Sequence, residues 1–148
     1  AYIFRFANVV GYRQTHGVAY DFYHKLKQNK LSLEVLGNGY QSKSYIDVND
    51  IYEAIQLAIT KQTNNIEVYN IGTNDYVTVR DIASIVLEAL NLKNVSIEYG
   101  DDSFGWVGDV PVVRFSSEKI RSLGWKNQYT SNEAIKRAIN FIIQDDNI

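Results

Sequence analysis

The chain has 148 residues, of which 45% are hydrophobic and 22% charged, a composition that supports one soluble globular domain with a real core. Its formal net charge of −2 gives no basic surplus to draw it to nucleic acid, and the absence of Cys excludes disulfides, thiolate nucleophiles and zinc–thiolate sites. No apolar run reaches the length of a membrane span and no signal peptide is visible, so the default expectation is a cytoplasmic protein.

The residues from Tyr2 to Val10 are nearly all apolar, β-branched or aromatic, which predicts a strand buried on both faces, as in a parallel sheet. The chain opens directly in this run and contains no Met, the pattern expected of a chain cut in its middle. Helix spacing of Val18, Ala19, Phe22, Tyr23 and Leu26 predicts a helix over Val18 to Lys30. The cations between His24 and Lys30 read as its solvated C-terminal end.

Leu33 to Leu36 reads as a short strand. Gly37-Asn38-Gly39 then signals a hairpin, because such turns need positive φ and Gly and Asn tolerate it. Ser42 to Val48 is the return strand or an extended segment. If it is extended, Lys43, Tyr45 and Asp47 share one face, with Ile46 and Val48 on the other. A hairpin there would hold Lys43 on a stiff support, although the turn alone is equally compatible with a purely structural role.

Asn49 is placed to cap a helix from Asp50, with Ile51, Ala54, Ile55, Ala58 and Ile59 as its apolar stripe. Ile66 to Ile71 is a strand closed by Gly72. Thr78 with Asp81 resembles a capping box, opening a helix that buries Ile82, Ile85, Val86, Ala89 and Leu90. Val95 to Tyr99 is a strand, Gly100 to Pro111 a loop, Val112 to Phe115 a short strand, and Ser117 to Leu123 a short helix stopped by Gly124. Thr130 with Glu133 forms a second capping box ahead of a helix burying Ala134, Ile135, Ala138, Ile139, Ile142 and Ile143. Strands alternate with helices, so the fold class is α/β.

Several chemistries have no support in these residues. No G-x-G-x-x-G or G-x-x-x-x-G-K-[ST] follows a strand; the Gly37-Asn38-Gly39 turn lies between strands. His16 and His24 have no acid in ligand spacing, so no metal site is expected. The acid pairs Asp101-Asp102 and Asp145-Asp146 read as solvated, since catalytic carboxylates need burial to tune their pKa values.

Four segments, in order, resemble one family. Arg5-Phe6-Ala7-Asn8-Val9-Val10-Gly11 is similar to the R-x-x-N-V-x-G-P stretch of extended short-chain dehydrogenases. Leu33 to Ile51 resembles their L-x-I-x-G-x-G-x-Q-x-R-x-F-x-x-V-x-D hairpin. Tyr69-Asn70-Ile71-Gly72 with the later Thr78-Val79-Arg80-Asp81-Ile82-Ala83 resembles their Y-N-I-G strand and next helix. Gly108-Asp109-Val110-Pro111 with Leu123-Gly124-Trp125 resembles their G-D-x-P and L-G-W pair. The chain is thus identified with the NAD-dependent nucleotide-sugar epimerases and dehydratases, nearest the UDP-glucose 4-epimerase-like branch, which are isomerases.

The resemblance implies that residues 1–148 form a single unit, the C-terminal substrate-binding half: the late strands of a partial Rossmann-like sheet plus a small α/β substrate-binding domain. The half that binds NAD, with the glycine-rich loop and the Tyr-x-x-x-Lys pair, would precede it, so the isolated chain is expected to be inactive. The parent reaction would interconvert UDP-glucose and UDP-galactose. The resemblance implies that Asn8 and Lys43 contact the diphosphate of a UDP-sugar with Tyr45 beside them. It further implies that Leu36 and Val79 pack on the uracil and that Asp109 faces the ribose. It leaves a homo-oligomer open. Three positions depart from the pattern: Tyr12 replaces a Pro, Lys43 an Arg, and no Arg precedes Gly108-Asp109 in Phe104-Gly105-Trp106-Val107. Lys lacks the bidentate fork of Arg. Two other readings remain: a non-catalytic nucleotide-sugar-binding or interaction module, and part of a dehydratase or reductase.

Overall fold

The computed structural model describes residues 1–61, 65–106, 108–114 and 116–146. The first apolar run forms two strands. β1 (Tyr2–Phe6) runs parallel to β6 (Glu67–Ile71), and β2 (Asn8–Val10) runs parallel to β5 (Tyr45–Asp47), with Asn8 opposite Tyr45. The exchange of partners takes one residue: Ala7 N–H donates to the Ile71 carbonyl at 2.9 Å and Asn8 N–H to the Ser44 carbonyl at 3.2 Å. β3 (Ser32–Val35) pairs parallel with β8 (Ser96–Tyr99), and β4 (Ser42–Lys43) pairs antiparallel with β7 (Val77–Thr78).

The expectation of burial on both faces fails for the first run. Ile3, Phe6 and Val9 are 47%, 41% and 42% exposed. Among the described residues β1 pairs only with β6 and β2 only with β5, so both strands are sheet edges, and packing covers Tyr2 and Phe4 but leaves Ile3 open.

The expected hairpin also fails. β3 and β4 do not pair with each other: β3 takes its partner from β8, and β4 from β7. Gly37 and Gly39 do have positive φ, at 73° and 78°, but Asn38 between them does not, so the adjacent left-handed pair of a tight hairpin turn is missing. The turn is held from outside. Asn38 N–H donates to the Asp102 carbonyl at 2.7 Å, while the Asn38 carbonyl accepts from Arg80 Nε at 3.0 Å and Nη2 at 2.8 Å. The Arg80 guanidinium lies over the Tyr99 ring at 3.7 Å and the Tyr40 ring at 4.4 Å.

Among the described residues five helices complete the fold: α1 (Val18–Gln28), α2 (Val48–Thr60), α3 (Val79–Ala89), α4 (Glu118–Ser122) and α5 (Ser131–Asp145). Both capping boxes form, Thr78 with Asp81 and Thr130 with Glu133. The cap of α2 is Asp47 instead of Asn49: its Oδ1 accepts from Asn49 N–H at 2.9 Å. The helix starts directly off β5, so the acid at the strand end reaches the first free amide before Asn49 can. Ile59 is 49% exposed and Ala89 is exposed, because each falls beyond the stretch where its helix meets the core. Val112 makes only an isolated bridge to Ser42 in place of a strand, and Phe115, the expected end of that strand, lies outside the described residues.

The apolar side chains gather in two clusters. Phe22 and Leu26 of α1, Leu33 of β3, Ile82 and Val86 of α3 and Ile135 and Ile139 of α5 form the larger one. Ile46, Ile51, Ala54, Ile71, Ile120 and Trp125 form the second, between β5, β6, α2 and α4. Each fully buried Leu or Ile contributes about 1.5–3 kcal/mol. Two carboxylates anchor the layers. Asp47 also accepts from Arg137 Nε of α5 at 3.1 Å. Asp50, fully buried, accepts from the backbone N–H groups of Gln128 at 2.8 Å and Tyr129 at 3.3 Å. Asp146 is likewise engaged and not merely solvated: it accepts from the Tyr23 hydroxyl at 2.6 Å and pairs with Lys27.

Candidate functional site

A cleft of about 440 Å³ opens between β2, the start of α1, the Leu36-to-Lys43 segment and the Gly105-to-Asp109 loop. Asn8, Leu36, Lys43, Tyr45, Val79 and Asp109 all line it. These residues come from five separate segments, and each has an identifiable support. Asn8 and Tyr45 lie opposite each other across the β2–β5 pair. Burial, opposed by the neighbouring Asn8 side chain and reinforced by the nearby Asp109 charge, pushes the Tyr45 phenol up to about 12. Tyr45 therefore stays protonated at neutral pH and is no general base.

Lys43, on β4, reaches across to the loop, and its Nζ donates to Asp109 Oδ1 at 2.5 Å. The second oxygen of Asp109 accepts from Gly105 N–H at 3.2 Å. The Asp109 side chain is only 6% exposed. Burial alone would raise its pKa, but the hydrogen bonds and charge of Lys43, with the amides of Gly105 and Val110, outweigh it and hold the carboxyl below its ordinary value. Lys43 thus reaches the cleft without the hairpin: pairing of β4 with β7 supplies the stiff support instead. Leu36, 57% exposed, and Val79, the first residue of α3, provide apolar wall.

Several lining residues escaped the sequence reading. Lys25 belongs to the cationic run read as solvated; it stays partly exposed but lines the cleft, and it donates to the Glu34 carbonyl at 2.9 Å. His16 also lines it. Gln41 is 3% exposed and on the wall; its only signal was the Gln of the family pattern. Trp106 lines the cleft while 63% exposed. Among the charged lining groups, Lys25 and Lys43 are matched by Asp21 and Asp109. Among the described residues no group of three or more His, Cys, Asp or Glu could hold a metal ion, and no helix is long and apolar enough to cross a membrane.

A family model described as the NAD dependent epimerase/dehydratase family matches residues 1–72. A putative UDP-glucose 4-epimerase of Methanocaldococcus jannaschii is 28% identical over 144 residues, covering 95% of this chain and 45% of that protein. The dTDP-D-glucose 4,6-dehydratase of Homo sapiens is 29% identical over 143 residues, covering 94% of this chain and 40% of that protein. The crystal structure of a UDP-galactose 4-epimerase superposes with a TM-score of 0.84 at 36% identity, covering 97% of this chain and 45% of that one. The chain spans less than half the length of each of these relatives.

Proposed function

We propose, from the similarity of this chain to the NAD-dependent epimerase/dehydratase family, that its cleft binds the nucleoside diphosphate of a UDP-sugar, as the substrate-binding half of a nucleotide-sugar 4-epimerase. One observation carries this reading: Asn8, Leu36, Lys43, Tyr45, Val79 and Asp109, scattered along the chain, line a single cleft. In the proposed arrangement Asn8 and Lys43 hold the diphosphate, Tyr45 fixes Asn8, Leu36 and Val79 pack on the base, and Asp109 orients Lys43 while facing the ribose. The parent reaction is the interconversion of UDP-glucose and UDP-galactose. The similarity to a dTDP-D-glucose 4,6-dehydratase supports a dehydratase as the second reading.

The family is NAD-dependent, but the residues of this chain do not by themselves fit the cofactor. No glycine-rich phosphate loop follows a strand in this chain, and the glycine after β2 is closely packed: a Cβ on Gly11 would lie 2.9 Å from Val48 Cγ1. In this reading these residues bind and orient the substrate, and the hydride acceptor would be held by the N-terminal half of a longer parent protein. Calorimetric titration of the 148-residue chain with UDP at low salt tests the reading. Saturable binding is expected, and Lys43→Ala is expected to weaken it by roughly tenfold or more, the scale of a charge-assisted hydrogen bond. Binding unaffected by the substitution would remove Lys43 from the site, and no binding by the folded chain would overturn the reading.

A further inference from the structure

Asn38-Gly39 is the only Asn-Gly pair in the chain, and the packing demands its glycine. Gly39 has a φ of 78°, and a Cβ there would lie 2.7 Å from Tyr99 Cε1 and 2.8 Å from Arg80 Cγ. The amide nitrogen that follows Asn38 therefore has no side chain beside it to block an approach. Among the described residues its N–H meets no acceptor.

The Asn38 side chain is folded back along the chain. Its Oδ1 accepts from the Tyr40 N–H at 3.0 Å, the bond of an Asx turn. That bond draws electron density away from Cγ and brings the side-chain amide over the Asn38–Gly39 peptide group. Arg80 acts on the same peptide group from its other end. Nε at 3.0 Å and Nη2 at 2.8 Å both donate to the Asn38 carbonyl. That carbonyl is conjugated with the Gly39 nitrogen. When the nitrogen loses its proton, the negative charge spreads to the carbonyl oxygen, where the guanidinium already waits. A cation fixed where charge develops lowers the barrier to forming it.

We propose that Asn38 is a site of self-modification, at which Arg80 and the Tyr40 amide promote attack of the Gly39 nitrogen on Asn38 Cγ. The N–Cγ bond forms and the Cγ–Nδ2 bond breaks. Nδ2 leaves as ammonia, carrying a proton equivalent to the one Gly39 gave up, and a cyclic imide remains. Water then opens the ring at either carbonyl, which leaves aspartate or isoaspartate at position 38; nothing is oxidised or reduced. Asn38 is only half-buried and Tyr40 is 65% exposed, so water reaches the turn. Isoaspartate adds a methylene to the main chain between Leu36 and β4, the strand that carries Lys43. The age of a chain is thereby written into a wall of the cleft.

The test is timed incubation of the full chain at mildly alkaline pH, followed by tryptic digestion. The peptide from Leu31 to Lys43 has Asn38 as its sole asparagine. It is expected to gain the mass of an amide-to-acid exchange and to yield an isoaspartate form. Conversion is expected to run roughly tenfold faster in the folded chain than in the same chain unfolded in guanidinium chloride, and roughly tenfold slower in Arg80→Ala, the scale of one charge-assisted hydrogen bond. Asn38→Gln is expected to abolish it. The comparison of folded with unfolded chain needs no variant, so the question stays answerable if Arg80→Ala fails to fold. Conversion that is absent, or no faster in the folded chain, would overturn the inference. Conversion that persists in Asn38→Gln would overturn it too, by placing the reaction at Gln41. A rate in folded Arg80→Ala equal to or above that of the unaltered chain would overturn the part given to Arg80.

Discussion

Asp109 and Asp50 are both buried carboxylates, yet their surroundings move them in opposite directions. Asp109 has a cation and two amides, and is held below its ordinary value. Asp50 has two backbone amides but no cation, and burial, reinforced by the charges of Asp47 and Glu53, raises it in spite of those bonds. The linkage follows from sign. A depressed carboxylate stabilises the fold above its unfolded value and loses that contribution as pH falls through the folded value. Asp109→Asn should therefore flatten the acid limb of a plot of Tm against pH, below about pH 4, while leaving the shape near neutrality unchanged. A raised carboxylate works the other way, so ionised Asp50 is a net burden as pH rises, tolerated because its oxygens satisfy Gln128 and Tyr129. Removing it is worse than keeping it. Asp50→Ala should destabilise by about 1–3 kcal/mol in denaturant unfolding, since it orphans the part-buried amides of Gln128 and Tyr129 and frees the turn they belong to. Neither role was legible beforehand. Asp50 was read only as the first residue of a helix, and its burial depends on a turn more than 70 residues away.

Elements whose causes are local were readable. Both capping boxes, the stripe of α5 and the stripe of α1 lie within a few residues of their own signals, and all form. Elements whose causes are distant were not. Gly37-Asn38-Gly39 has hairpin composition, but strand pairing is decided by partners far along the chain: β8 for β3 and β7 for β4. The six candidate site residues came from pattern likeness, and the structure brings them to one cleft. Gln41 and Lys25 were missed because which polar side chains border a cleft is a property of the packed molecule. The turn at Gly37 to Gly39 depends on Arg80, which donates twice to Asn38 while lying between two tyrosine rings. Arg80→Ala should cost about 1–3 kcal/mol and increase hydrogen exchange at the Asn38 and Arg80 amides, with the α3 interior unaffected. Exchange rates unchanged around the turn would show that the glycine conformations hold it without the arginine.

Across the whole molecule, the α/β architecture is built on two apolar clusters that meet at β5, with Tyr45 in one and Ile46 in the other, and nearly all of the chain superposes on part of a UDP-galactose 4-epimerase. Ile139 belongs to one cluster and Ile71 to the other, with no shared cluster partner. Ile139→Ala and Ile71→Ala should each cost about 2–5 kcal/mol, and the double variant should match their sum within about 0.5 kcal/mol if the chain unfolds as one cooperative unit. Two separate denaturation transitions would show instead that the clusters melt independently.

The pairing of Lys43 with Asp109 also sets how a ligand arrives. Seen from outside, a cation 2.5 Å from a carboxylate is a dipole, whose field dies away faster than that of a lone charge, and salt at physiological strength screens what remains within about 8 Å. The cleft therefore reaches out little to an approaching anion. Encounter is governed by diffusion and fit, without long-range steering, and discrimination among ligands is exercised in how long each one stays.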